Sequence, residues 1–212
     1  MKFKWWGHAC FLIENNGKKI ITDPYDDSLP YKKVDDKADI VTVSHDHFDH
    51  NAVDRLEGDF EVVKTEDGYS DDEVEIKGIP TYHDKNEGED RGENMIFTME
   101  FADKTVCHMG DVGHPLTDEE FAQLEDVDIL LIPVGGYYTI NADEAFEITK
   151  KIDPEIVIPM HFKTDKLDFP ITRVEDFIHK FEHDEIEIKD GAEVDIADVP
   201  SSKKVVVLNY VH

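Results

Sequence analysis

Three histidines and two aspartates fall within the six residues His45-Asp46-His47-Phe48-Asp49-His50, a His-x-His-x-Asp-His cluster behind Ser44. It follows at once on Ile40-Val41-Thr42-Val43, an apolar, β-branched run that reads as a buried strand. The cluster is therefore expected on the loop at a strand's C-terminal end, where α/β sheets commonly carry their chemistry. Turned into a core, three imidazoles and a carboxylate would leave costly unpaired polar groups, whereas zinc, iron or manganese would satisfy them together. The residues point to a metal site.

One short loop cannot surround an ion, so further ligands must come from elsewhere. Three candidates stand at the ends of other apolar runs: His83 after Ile79-Pro80-Thr81-Tyr82, Asp111 in His108-Met109-Gly110-Asp111, and His161 after Ile156-Val157-Ile158-Pro159-Met160. A sheet whose successive strand ends deliver ligands to one edge is a coherent way to build a two-metal site.

The elements that must position these residues are legible in outline. Strands are predicted at Lys2-Trp6, Cys10-Glu14, Lys18-Thr22, Ile40-Val43, Phe60-Val63, Val74-Ile76, Ile79-Tyr82, Met95-Phe101, Thr105-His108, Ile129-Ile132 and Ile156-Pro159. A late pair is predicted near Glu185-Ile188 and Val205-Leu208. Asn15-Asn16-Gly17 is a hairpin turn signal, because Asn and Gly tolerate positive φ, so the chain opens with antiparallel strands. Helices are predicted at Asp118-Leu124 and Ala142-Lys150, each behind a capping box (Thr117 with Glu120, Asn141 with Glu144), and at Val174-Phe181. No internal repeat is evident. The length and the 40% hydrophobic content suit one compact domain over 1–212.

As a set, these motifs resemble the metallo-β-lactamase superfamily. The order His45-x-His47-x-Asp49-His50, His83, Asp111, His161 is similar to its ligand series. Trp6-Gly7-His8-Ala9-Cys10-Phe11-Leu12-Ile13, Thr22-Asp23-Pro24, Met109-Gly110-Asp111 and Pro133-Val134-Gly135-Gly136 are similar to its L-ascorbate-6-phosphate lactonase-like, UPF0173-type branch. The resemblance runs from about Phe3 to about Thr164 and implies an αββα four-layer sandwich of α+β class. It implies two divalent metal ions, zinc first, with manganese or iron as alternatives. One would be bound by His45, His47 and His83, the other by Asp49, His50 and His161, with Asp111 bridging. Asp23 matches an acidic residue that supports the ligand loop from behind, where a carboxylate accepting an imidazole N–H fixes the tautomer. One departure bears on the substrate: His83 stands in Thr81-Tyr82-His83-Asp84, where lactonase-like relatives often follow this His with Ser.

The implied chemistry is hydrolysis of a small ester, lactone or phosphoester by a metal-bridging hydroxide, with Asp111 and Asp49 in the catalytic set. Two ions lower the pKa of a shared water and stabilise the oxyanion, so no side-chain nucleophile is required. Leaving-group protonation needs another acid, and Asp84, His108 and His114 are the unassigned candidates. His8 and His108 lie in apolar, strand-like surroundings where a hydrogen-bonded structural role is the alternative; for His8 the structural role is favoured. His114 is expected on an active-site loop, facing substrate or solvent. Gly135, Gly136, Tyr137 and Tyr138 line a pocket or form a turn with packed aromatics. His179, His183 and His212 read as surface residues. The polar stretch Asp84–Asn94 is a candidate lid, and its Arg91 either pairs with an anionic small-molecule substrate or makes a surface ion pair.

Alternatives from other classes are weaker. A nuclease-type phosphodiesterase needs basic surface, yet only Arg55, Arg91 and Arg173 are arginines and no insertion for gripping a polymer is present, so no nucleic-acid partner is expected. Di-iron redox members of the superfamily usually carry Glu where His47 stands and add a flavin domain. A non-catalytic metal-binding protein would have little reason to retain every ligand.

No run approaches the ~18 apolar residues of a membrane span, and the start of the chain lacks a signal-peptide core, so a cytoplasmic location is expected. Cys10 and Cys107 read as buried thiols. Fifty Asp and Glu against 22 Lys and Arg give a formal net charge of −28, with the acids spread along the chain. A self-repelling field of that size is relieved by screening, and the Debye length falls to about 3 Å at 1 M salt. The expectation is a halophilic protein in a salt-rich cytoplasm. Its thermal midpoint should rise from low to molar KCl, and a flat or falling midpoint would remove that reading.

Overall fold

The computed structural model describes the whole chain, residues 1–212. The chain opens with an antiparallel meander, β1 (Lys2–Gly7), β2 (Cys10–Asn15) and β3 (Lys18–Thr22). The β2–β3 turn places Asn16 at φ 51° and Gly17 at φ 94°, the two positive values that a tight hairpin requires. Two parallel strands follow, β4 (Ile40–Thr42) and β5 (Glu61–Val63). A second antiparallel run comprises β6 (Tyr69–Ser70), β7 (Val74–Tyr82), β8 (Glu93–Phe101) and β9 (Thr105–His108).

From there strands and helices alternate: α1 (Asp118–Phe121), β10 (Ile129–Pro133), α2 (Ala142–Ile152), β11 (Ile156–Met160), α3 (Glu175–Ile178), β12 (Ile186–Ile188). Two short strands close the chain, β13 (Glu193–Asp195) and β14 (Val205–Val207). The sheets are mixed, with orders β13-β1-β2-β3-β4-β5 and β12-β14-β11-β10-β9-β8-β7-β6. β13 returns to pair antiparallel with β1, so the ends of the chain meet in one sheet.

One continuous cluster of 56 buried residues draws on both sheets, which is why the sheets behave as a single packed unit. β2 is buried along almost its whole length, and β10 and β11 are buried throughout, as strands covered on both faces must be. The two cysteines are free and buried in this core. Both predicted capping boxes form: Thr117 and Asn141 accept from the backbone of Glu120 and Glu144, whose carboxylates reach back to the cap N–H groups. α2 buries Ala142, Ala145, Ile148 and Thr149. No helix is long and apolar enough to cross a membrane.

The helical layers are thinner than a four-layer sandwich suggests. The β4–β5 connection holds only a single 3₁₀ turn, Val53–Arg55. α1 and α3 span four residues each, shorter than expected, and α3 has Val174 at its N-cap, whose apolar side chain cannot cap it. A second correction concerns β7, expected as two strands, Val74-Ile76 and Ile79-Tyr82, broken at Lys77-Gly78. It runs unbroken against β8 from Val74 to Tyr82. Pro80 lies beyond the short partner β6, which pairs only with Glu75 and Ile76, so its missing N–H removes no ladder bond on that side. Gly78 admits the crossing backbone of Thr65 and Glu66: a Cβ there would meet the Thr65 carbonyl oxygen at 2.6 Å. Gly78→Val should therefore destabilise by about 1–3 kcal/mol despite valine's preference for strands. A denaturation midpoint equal to or above wild type would contradict this packing.

Candidate metal centre

Every proposed ligand lies where a strand has just ended. His45, His47 and His50 follow β4, His83 follows β7, Asp111 follows β9 and His161 follows β11. The turn after β9 depends on Gly110, at φ 55°, because a Cβ there would sit 2.4 Å from Asn94 Oδ1 and 2.6 Å from Ser44 Cβ. Asn94 is buried and holds that turn by accepting from the Asp111 N–H at 2.8 Å and donating to the Met109 carbonyl at 3.0 Å.

The imidazoles gather around one carboxylate. Asp111 Oδ2 has His161 Nε2 at 3.1 Å, His50 Nε2 at 3.2 Å and His83 Nε2 at 3.3 Å. The donors fall into two groups, His8 with His50, Asp111 and His161, and His45 with His47 and His83; within each, the ligand atoms lie within 4.8 Å of one another. His45 and His50 tie the groups together, their ring centroids 4.2 Å apart.

Asp23 orients the rings from behind. Fully buried, it accepts from the Ser44 N–H at 2.8 Å, the Ser44 hydroxyl at 2.6 Å and His50 Nδ1 at 2.9 Å. The Ser44 hydroxyl is also 2.9 Å from His45 Nδ1. With Ser44 donating to Asp23, His45 Nδ1–H donates to Ser44. Both rings then turn Nε2 toward the cluster.

The electrostatics follow from burial among charges. Burial disfavours a charged His50 ring, yet the Asp111 and Asp23 carboxylates outweigh it and hold its pKa well above the ordinary value. Burial likewise opposes ionisation of Asp111, and the His161 and His50 rings reverse the sign and keep it well below the carboxylate range. Burial drives His45 down to about 2 and His8 down to about 4, so both rings are neutral lone-pair donors at pH 7.

A divalent cation fits this donor set. His45 Nε2, His50 Nε2 and Asp111 Oδ1 are buried with no hydrogen-bond partner, an arrangement that a cation among imidazole and carboxylate donors would satisfy.

Several residues take places other than those expected. His8, favoured as structural, is drawn into the cluster by a left-handed backbone, φ 56°; its ring lies 4.0 Å from that of His161 and its Nε2 is 3.2 Å from Asp49 Oδ2. Asp49 turns to His8 and stands 3.9 Å from His50 Nε2, outside the tightest donor group.

His108, a general-acid candidate, has both nitrogens engaged: Nε2 donates to the Ala9 carbonyl at 2.8 Å and Nδ1 accepts from the Gly110 N–H at 3.2 Å. It has no nitrogen free for a leaving group, and its role is structural. His114 donates from Nδ1 to the Pro115 carbonyl and accepts the Tyr82 N–H at Nε2, so it braces the strand that carries His83.

Asp84 accepts from the N–H groups of Asn86, Gly88, Asp90 and Arg91. Burial would raise its pKa, but these four donors lower it, which unsuits it as an acid. The expected lid is thus a loop wound around its own carboxylate. Ser44 and Asn94 received no role from sequence. Ser44 lay inside the quoted motif, whereas nothing local marks Asn94.

Asp23→Asn keeps a residue tolerant of the left-handed backbone found there, φ 41°, while removing one acceptor oxygen and the charge. Zinc affinity by chelator competition should fall about 10–100-fold. Unchanged affinity would mean that Asp23 does not orient ligands.

Residues 2–161 match the family model described as "Beta-lactamase superfamily domain". A UPF0173 metal-dependent hydrolase of Pyrobaculum arsenaticum is 30% identical over 204 residues, 82% of this chain and 87% of that protein. Another, from Thermoplasma acidophilum, is 32% identical over 190 residues, 77% and 84%. Among solved structures, a candidate Zn-dependent hydrolase of the metallo-β-lactamase superfamily from Thermotoga maritima superimposes with a TM-score of 0.83. It is 39% identical over 98% of this chain and 97% of that one.

Proposed function

The chain belongs to the metallo-β-lactamase superfamily, in the branch of the UPF0173 metal-dependent hydrolases, and on that premise we propose that it hydrolyses a small ester, lactone or phosphoester using two divalent ions, zinc first, held on either side of Asp111. The observation that carries this reading is the convergence of His50, His83 and His161 on Asp111 Oδ2 beside the neighbouring His45 and His47.

His45, His47 and His83 would hold one ion. His50, His161 and Asp49 would hold the other, with Asp111 shared and His8 bonded to Asp49. Bound ions supply Lewis-acid polarisation of the scissile carbonyl or phosphoryl group and bring the pKa of water toward neutrality. Asp23 and Ser44 keep the His50 and His45 lone pairs aimed inward throughout. Asn94 fixes the Asp111 backbone, so the shared carboxylate does not swing as charge redistributes. Asp49 accepts from His8 Nε2 at 3.2 Å, which sets the direction of its carboxylate.

A small substrate also agrees with the charge of the molecule, since −28 with three arginines repels a phosphate polymer. Zinc-loaded protein, assayed on 4-nitrophenyl acetate, a γ-lactone and bis(4-nitrophenyl) phosphate, should turn over at least one. A chelator should abolish that activity, added zinc should restore it, and Asp111→Asn should lower kcat by about 100-fold or more. Turnover that survives chelation or Asp111→Asn would contradict the proposal.

A further inference from the structure

Arg55 pairs with Asp27 and Arg173 pairs with Asp165 at 2.9 Å, but the third arginine has no such partner. The hydrogen bond Arg91 makes is from its backbone N–H to Asp84, and its guanidinium is left without a carboxylate although Glu89, Asp90 and Glu93 are close in sequence. In a chain of net charge −28 an unpaired guanidinium is unexpected. Its five N–H donors make no hydrogen bond to the protein.

Both flanks of Arg91 are tied to the metal centre. On one side its N–H meets the carboxylate of Asp84, which follows His83 directly, and the Gly92 carbonyl accepts the His83 N–H at 3.0 Å. On the other side the guanidinium lies 5.7 Å from the ring centroid of Tyr138. Tyr138 is edge-on to Phe169 at 5.8 Å, and Phe169 is edge-on to His8 at 6.0 Å. An aromatic wall therefore runs from His8 in the donor cluster outward to the guanidinium.

The turn that presents Tyr138 is strained. Tyr137 is left-handed at φ 62°, which costs a non-glycine residue about 1–2 kcal/mol and persists where the surroundings over-determine it.

We propose that Arg91 is the specificity-determining residue of this site and binds an oxyanion, a carboxylate or phosphate, at the end of a small substrate remote from the bond that breaks. The assignment rests on the hydrolase reading above and deepens it by naming the substrate class. A guanidinium against an aromatic face uses none of its N–H donors there, so the planar fork stays available for a bidentate contact with the anion. The scissile bond would then lie over the donor cluster, with the intervening part of the substrate along Phe169 and Tyr138.

The test compares zinc-loaded wild type, Arg91→Ala and Arg91→Lys on two esters with one leaving group: neutral 4-nitrophenyl acetate and anionic mono-4-nitrophenyl succinate. Binding of inorganic phosphate and of succinate is measured by calorimetry on the same proteins, with thermal midpoints as the folding control. Arg91→Ala should lose about tenfold or more in kcat/KM on the succinate ester, mainly through KM, and less than about twofold on the acetate, with Arg91→Lys between. Whichever of phosphate and succinate loses about tenfold in affinity identifies the anion.

Equal losses on both esters, or none, with anion affinity unchanged, overturn the role of Arg91 and leave hydrolysis standing. A wild type that cleaves neither ester yet binds either anion through Arg91 upholds the anion site and counts against ester hydrolysis. The absence of both turnover and Arg91-dependent anion binding overturns the proposal.

Discussion

Asp111 Oδ2, buried beneath the loops, has three imidazole nitrogens within 3.1–3.3 Å, and a carboxylate in that position is stable only where positive charge is shared with it. A proton on His50 Nε2 would supply some of that charge, and a divalent cation would take its place and supply more, engaging Asp111 Oδ1 and the His45 and His50 Nε2 atoms that have no partner. Each of the rings comes from the end of a different strand or its following loop. The requirement that they meet therefore couples β4, β7, β9 and β11, and with them both sheets. Asn94 on β8 and Asp23 after β3 extend the coupling to two further strands through hydrogen bonds that lie one layer behind the rings.

The backbone pays for this arrangement locally. His8, Asp23 and His161 adopt φ of 56°, 41° and 50°, and with Tyr137 they make up half of the eight non-glycine residues with positive φ. Strain concentrated at strand ends beside one cluster is a sign that tertiary contacts, not local preference, set these residues.

What could be read from the sequence was what lies close together in it. His45, His47, Asp49 and His50 announce themselves because four donors share one loop. His83, Asp111 and His161 were found by one rule applied three times, a donor directly after an apolar run. The capping boxes of α1 and α2 and the Asn16-Gly17 turn are likewise complete within a few residues. The assignments that changed depend on partners far away in the chain: His108 is occupied by the Ala9 carbonyl, His114 by the Tyr82 N–H, and His8 by Asp49. The same distance hid β13, which pairs with β1 from the far end of the chain, and the unbroken β7, whose glycine exists to admit the Thr65 backbone. Asp84 misled for the opposite reason: its four backbone partners are local, but only the folded loop brings their N–H groups to one carboxylate.

The central claim is that Asp111 is shared between two divalent ions. The most direct measurement is anomalous diffraction at the zinc edge on crystals of zinc-loaded protein, collected for the wild type and for Asp111→Asn. The account predicts two peaks in the wild type, one among His45, His47 and His83 and one beside His50 and His161, both in contact with the Asp111 carboxylate, and loss of at least one in the variant. A single wild-type peak, or two peaks of which neither touches Asp111, would contradict it.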